Sequence, residues 1–148
     1  MRKVALFALV FVILLATVGA AAASGAPRVT TLSGAEEVPP ADLDGTGFAA
    51  IALNVGQGTV CWQLSVSGIA LPATAAHIHV APVGVSGPVV VPLSPPNASG
   101  TSSGCTSADP ALIQAIIDHP ERYYVNVHNF DFPSGAVRGQ LSNRGQSE

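Results

Sequence analysis

The chain has 148 residues, 48% hydrophobic and 10% charged, with a net charge of −3 when histidine is neutral. Without Arg2 and Lys3, which fall in a segment read below as a leader, four arginines and no lysine oppose nine carboxylates, a net of −5 (four minus nine). A basic footprint for nucleic acid or anionic lipid is therefore absent, and the length beyond the leader suits one domain able to bury a core unaided.

The N-terminus begins Met1-Arg2-Lys3, runs apolar from Val4 to Val18, and ends in small residues through Ala23 and Ser24. A basic start, a greasy centre and an A-x-A-like end are the marks of a secretory signal peptide. Residues 1–23 are predicted to be that leader, with cleavage near Ala23 or Ala26. The apolar run, about 15 residues, is short of the ~20 a spanning helix needs; a leader retained as an anchor is the alternative. The product is expected to be secreted or otherwise extracytoplasmic, in a periplasm or on a cell surface, with no membrane contact once the leader is gone.

A single domain is expected over residues 28–144. Short apolar runs punctuated by Gly, Pro, Ser and Thr predict an all-β unit. Strands are predicted near Val29–Ser33, Thr46–Val55, Thr59–Ser67, Ala75–Val80, Pro88–Leu93, Gly100–Ser107, Arg122–His128 and Ala136–Ser142. Several alternate with period two. Trp62, Leu64 and Val66 oppose Cys61, Gln63 and Ser65, so one face of each strand should be buried. Breakers such as Asp44-Gly45, Gly56-Gln57-Gly58, Ser86-Gly87-Pro88 and Pro133-Ser134-Gly135 mark the turns.

One segment departs from this rhythm. In SADPALIQAIIDHP, Ser107 or Asp109 is placed to cap a helix, Pro110 to open it, and Pro120 to stop it. Leu112, Ile113, Ile116 and Ile117 form its apolar stripe, so a short helix should cover one end of the domain. Asn97-Ala98-Ser99 matches the short glycosylation sequon. Cys61 and Cys105 are the only cysteines, and an isolated pair in an exported chain is expected to form a disulfide. Two buried thiols are the alternative; a thiolate metal site is disfavoured because no C-x-x-C spacing occurs.

The histidines carry the chemistry. Residues two apart on a strand share a face, so His77 and His79 should lie opposite the apolar set Ala76, Ile78 and Val80. The same parity in RYYVNVHNF sets Tyr124, Asn126 and His128 against Tyr123, Val125 and Val127. All three imidazoles are expected on the outer face, in contact with water. If the two strands are neighbours, the rings converge. Three neutral imidazoles with an open position suit copper or zinc, and Asn126 and Tyr124 could support them from behind. Solvated surface histidines are the plain alternative. His119, beside Pro120, is read as a terminal helix residue and not as a ligand.

Other chemistry is thin. Glu36 and Glu37 are adjacent and on a strand would face opposite ways. No nucleophile elbow, phosphate loop or Cys/His pair occurs, so turnover is not expected. Arg138 should face outward and pair with Glu36, Glu37 or Asp131, or else contact an anion.

LSGAEEVPP (Leu32–Pro40), TAAHIHVAPVGVSGPVVVPL (Thr74–Leu93), YYVNVH (Tyr123–His128) and FPSGAVRGQL (Phe132–Leu141) together resemble the CHRD domain, a module named from chordin and found alone in exported bacterial proteins. The resemblance covers nearly the whole chain past the leader. It implies a Greek-key-like antiparallel β-sandwich, immunoglobulin-like or superoxide-dismutase-like, with one short helix. In chordin the domain belongs to an extracellular antagonist of bone morphogenetic proteins; for stand-alone members no general activity follows from the resemblance, and the leading reading of this chain is a binding module whose partner is an unknown extracellular protein or surface ligand. A structural surface or matrix module is a further alternative.

HIH followed by VNVH is also similar to the copper half-site of Cu/Zn superoxide dismutases. That likeness implies His77, His79 and His128 as copper ligands, with zinc second. The sequence has no bridging histidine and no His/Asp zinc loop, and Arg138 is the only candidate for an anion-guiding arginine.

Overall fold

A computed structural model describes residues 27–142. The expected leader and its cleavage position lie outside the described residues, as do the last six positions. Eight strands are present: β1 (Arg28–Ser33), β2 (Thr46–Asn54), β3 (Thr59–Ser67), β4 (Ala75–Val80), β5 (Val89–Leu93), β6 (Thr101–Ser107), β7 (Tyr123–His128) and β8 (Val137–Gln140). One helix, α1 (Pro110–Asp118), sits between β6 and β7, and short 3-10 turns occupy Gly34–Glu36 and Pro120–Arg122. No helix among the described residues is long and apolar enough to cross a membrane.

The strands form one antiparallel sheet in the order β5-β4-β7-β8-β1-β2-β3-β6. The seam in its middle is thin: β8 and β1 share the single registered pair Ser33–Arg138, with an isolated bridge between Val29 and Ser142 nearby. The edge strands β5 and β6 are consecutive in the chain and joined by residues 94–100, where Asn97 N–H donates to the Thr101 carbonyl at 3.0 Å. Ser102 Oγ on β6 donates back to the carbonyl of Ser94, just past β5, at 2.6 Å, so the two edges approach and the sheet curls until it nearly closes. The sandwich expected from the sequence is present as two facing halves of one continuous sheet, not as two separately bonded sheets.

Alternation puts one face of most strands inside, while the edge strand β6 alternates only between exposed and half-buried positions. Leu32, Ile51, Leu53, Val60, Trp62, Leu64, Ile78, Val91, Val125, Val127 and Val137 are buried in a single core. Val80, expected with them, is only partly buried and packs on the margin. Trp62 satisfies its one polar atom by donating from Nε1 to Ser102 Oγ at 3.1 Å. The helix forms where the capping signals put it: the Asp109 carboxylate accepts from Ala111 N–H at 2.8 Å, Pro110 opens the first turn, and Ile113 and Ile116 close the end of the core.

Cys61 and Cys105 are directly opposed on β3 and β6 and are disulfide-bonded, with Cα atoms 4.0 Å apart. The bridge fastens an edge strand to its neighbour, far along the sheet order from the histidines on β4 and β7.

Candidate metal centre

β4 and β7 are hydrogen-bonded neighbours, in a register that sets His77 opposite Asn126, His79 opposite Tyr124, and Ala75 opposite His128. The three imidazoles therefore meet on one face, and one nitrogen from each ring lies within 4.8 Å of the others. His77 and His128 are closest, with Nδ1 and Nε2 3.1 Å apart and the rings nearly perpendicular. No carboxylate or thiol among the described residues joins the group.

The outward parity is correct, but the outer face is not open to water. His79 is only 8% exposed, Tyr124 and Asn126 are buried, and His77 and His128 are half-buried. The expectation of a solvated outer face is thus corrected. The cause lies in two loops that fold back across the sheet. Residues 81–88 cover His79, whose Nδ1–H donates to the Gly87 carbonyl at 2.9 Å. Residues 129–135 reach His128, whose Nδ1–H donates to the Pro133 carbonyl at 3.0 Å. Gly87 is required for the first approach, because a Cβ there would lie 2.0 Å from the Val80 carbonyl oxygen.

These contacts select tautomers. A carbonyl only accepts, so Nδ1 carries the proton in both rings and the Nε2 lone pair is free. In His128 that lone pair accepts from His77 Nδ1–H. In His79 it is buried and has no hydrogen-bond partner. Burial also depresses the tendency of all three rings to protonate. For His77 the added causes are the charges of His128 and His79; for His128 the charge of His79 and then the Arg138 guanidinium contribute, and for His79 the Arg138 guanidinium, in both cases against the carbonyl bonds that favour the cation.

The remaining outer-face residues form a polar layer. The His79 ring stacks on Tyr124 with centroids 4.7 Å apart and planes 8° from parallel. Arg138 lies over the same Tyr124 ring at 4.4 Å. It is buried, and its Nη2 is 2.6 Å from Glu37 Oε2. Of the three carboxylates considered for it, Glu37 is the partner. Glu36 is exposed and does not share a strand with Glu37, because a 3-10 turn ends there. With its guanidinium engaged, Arg138 does not face a solvent anion. Asn126 donates to Glu37 Oε1 at 2.6 Å. His119 caps the end of α1 in an exposed position 3.6 Å from Glu121 and is no part of the cluster. A hollow of about 610 Å³ on the β2-β3-β6 half, lined by Phe48, Gln63, Ser65, Asn97 and Thr101, has no titratable side chain.

The family model of the CHRD domain matches residues 28–141. The chain belongs to the CHRD domain family. The match runs from the first residue of β1 to just past β8. No curated protein matches the sequence. Within this CHRD domain, the loop carbonyls of Gly87 and Pro133 and the hub position of Glu37 escaped sequence reasoning. APVGVSGP is rich in turn residues, but nothing local says on which face a turn will lie.

Proposed function

We propose that this CHRD domain is an extracytoplasmic binding module whose ligand is a metal ion, copper ahead of zinc, held by His77, His79 and His128 with Tyr124 and Asn126 behind them. The observation that carries the reading is the buried, unpartnered Nε2 of His79, since a buried acceptor without a partner costs about 1–3 kcal/mol. Three further features support it. The tautomers of His79 and His128 leave Nε2 as the donor atom, the usual arrangement behind a ligating imidazole. Two nitrogens bound at about 2.0 Å to one tetrahedral ion stand about 3.3 Å apart, and His77 Nδ1 and His128 Nε2 stand at 3.1 Å, so that an ion would replace the hydrogen bond between them as the His77 proton moves from Nδ1 to Nε2. Neutral nitrogen ligands bind copper(II) more tightly than zinc(II). The disulfide is compatible with export. A protein or surface-ligand partner, the other binding reading, has no comparably built site behind it.

The test is titration of Cu(II) and Zn(II) into protein purified without a histidine tag, with four single-histidine variants. One equivalent should bind. His77→Ala, His79→Ala and His128→Ala should each weaken binding tenfold or more, and His119→Ala should leave it unchanged. Binding that survives the loss of His128, that needs His119, or that does not exceed that of an unrelated acidic protein would overturn the proposal. If copper binds, superoxide dismutation is the first activity to assay; without a bridging histidine and its zinc-linked proton relay, turnover is not expected.

A further inference from the structure

Glu37 and Arg138 are 3% and 6% exposed. A buried ion pair is a weak source of stability, because desolvation offsets the attraction, so the placement of this one invites a functional reason. Its contacts lead to both loops that orient the histidines. Glu37 Oε2 accepts from Arg138 Nε at 2.7 Å. The same guanidinium donates to the Val85 carbonyl and to Ser86 Oγ, both at 3.3 Å. These residues immediately precede Gly87, whose carbonyl accepts from His79 Nδ1–H and whose N–H donates to Tyr124 Oη at 3.2 Å. Because β7 lies between β4 and β8, His79 reaches Tyr124 from one flank and Arg138 from the other.

The other oxygen of Glu37 serves the second loop. Oε1 accepts from Asn126 Nδ2, and Gly135 lies against both groups: a Cβ there would come within 2.5 Å of each. Gly135 has a φ of 139°, a region open to glycine, and its N–H donates to the Phe132 carbonyl at 3.1 Å, closing the turn that contains Pro133. The Pro133 carbonyl accepts from His128 Nδ1–H.

We propose that Glu37 is a positioning residue for the metal centre: one carboxylate, without touching the ion, holds the two loops whose carbonyls fix the tautomers of His79 and His128. This rests on the metal reading above for its purpose but not for its first test. Glu37→Gln keeps the size and the bond to Asn126 while removing the charge that holds Arg138. In metal-free protein, nitrogen NMR of the imidazoles should report a single Nδ1–H tautomer for His79 and His128 in the wild type. In the variant, His79 should become a mixture, and the Gly87 amide should lose protection from exchange. Affinity for Zn(II) should fall 10- to 100-fold, and the electron spin resonance signature of bound Cu(II) should change.

If the single substitution prevents folding by stranding Arg138, the Glu37→Met, Arg138→Met chain leaves no buried charge and carries the same two readouts. Wild-type tautomers in either folded variant would overturn the assignment. Failure of the wild type to bind metal would overturn the metal reading, while the tautomer result would still decide the role of Glu37.

Discussion

His79 Nε2 has been taken out of water, denied a hydrogen bond and left unprotonated by the bond on the opposite nitrogen. That state has a consequence for pH. Each ring must be neutral to bind an ion, and each has its pKa lowered from 6.5, chiefly by burial. A depressed folded pKa keeps the ligand form available further into acid, so Zn(II) release should have its midpoint below 6.5, where ordinary surface histidines would already compete. Equilibrium dialysis against pH, with free Zn(II) held well above its neutral-pH Kd, measures it; a midpoint above 6.5 under that saturation would contradict the burial argument. The same shifts bear on metal-free stability, with the sign fixed by linkage. The contribution is fully present above the unfolded pKa and is lost as pH falls through the lowered folded values. The urea midpoint in chelator should therefore drop with acidification in the wild type, and less steeply once His79 is replaced by alanine.

Strands β4 and β7 carry two layers at once, apolar inside and polar outside, and substitution should separate them. Val125 is fully buried in the core and should cost about 1–3 kcal/mol on truncation to alanine. His77, half-buried at the margin of the cluster, should cost far less when replaced by alanine in chelator. His79 should fall between them, because its loss leaves the Gly87 carbonyl without its donor. Chemical denaturation of the three variants in chelator gives the order. A His77→Ala variant less stable than Val125→Ala would mean that the outer layer, not the core, dominates these strands.

At the scale of the molecule, the disulfide closes a 44-residue separation that contains β4, β5 and the crossing between the halves. Chain entropy assigns such a loop about 4 kcal/mol. The Cys61→Ser, Cys105→Ser chain should lose about that much in urea denaturation yet still bind metal when folded, because the bridge lies on β3 and β6 and the ligands on β4 and β7. Intact mass after alkylation without reductant should detect no free thiol in wild-type protein recovered from its producing cells; two alkylated thiols would refute the pairing in the cell.

What the sequence by itself determined follows from local rules. Period-two alternation identified the strands and their inner faces. Asp109, Pro110 and Pro120 delimited the helix, and the parity of AAHIHV and YYVNVH put three imidazoles on one side of their strands. The family was legible too, because four motifs in order span the chain. The tertiary structure alone decided that β4 and β7 are neighbours in the register that brings the rings together, since pairing joins residues 43 to 53 apart and leaves no local trace. It also decided that the outer face is covered. A turn such as APVGVSGP has breakers but no alternation, so its sequence does not say which face it will lie across. Glu37 shows the same limit: its partners Asn126 and Arg138 are 89 and 101 positions away, and only the pairing of β7 with β8 and of β8 with β1 brings all three together under the two loops.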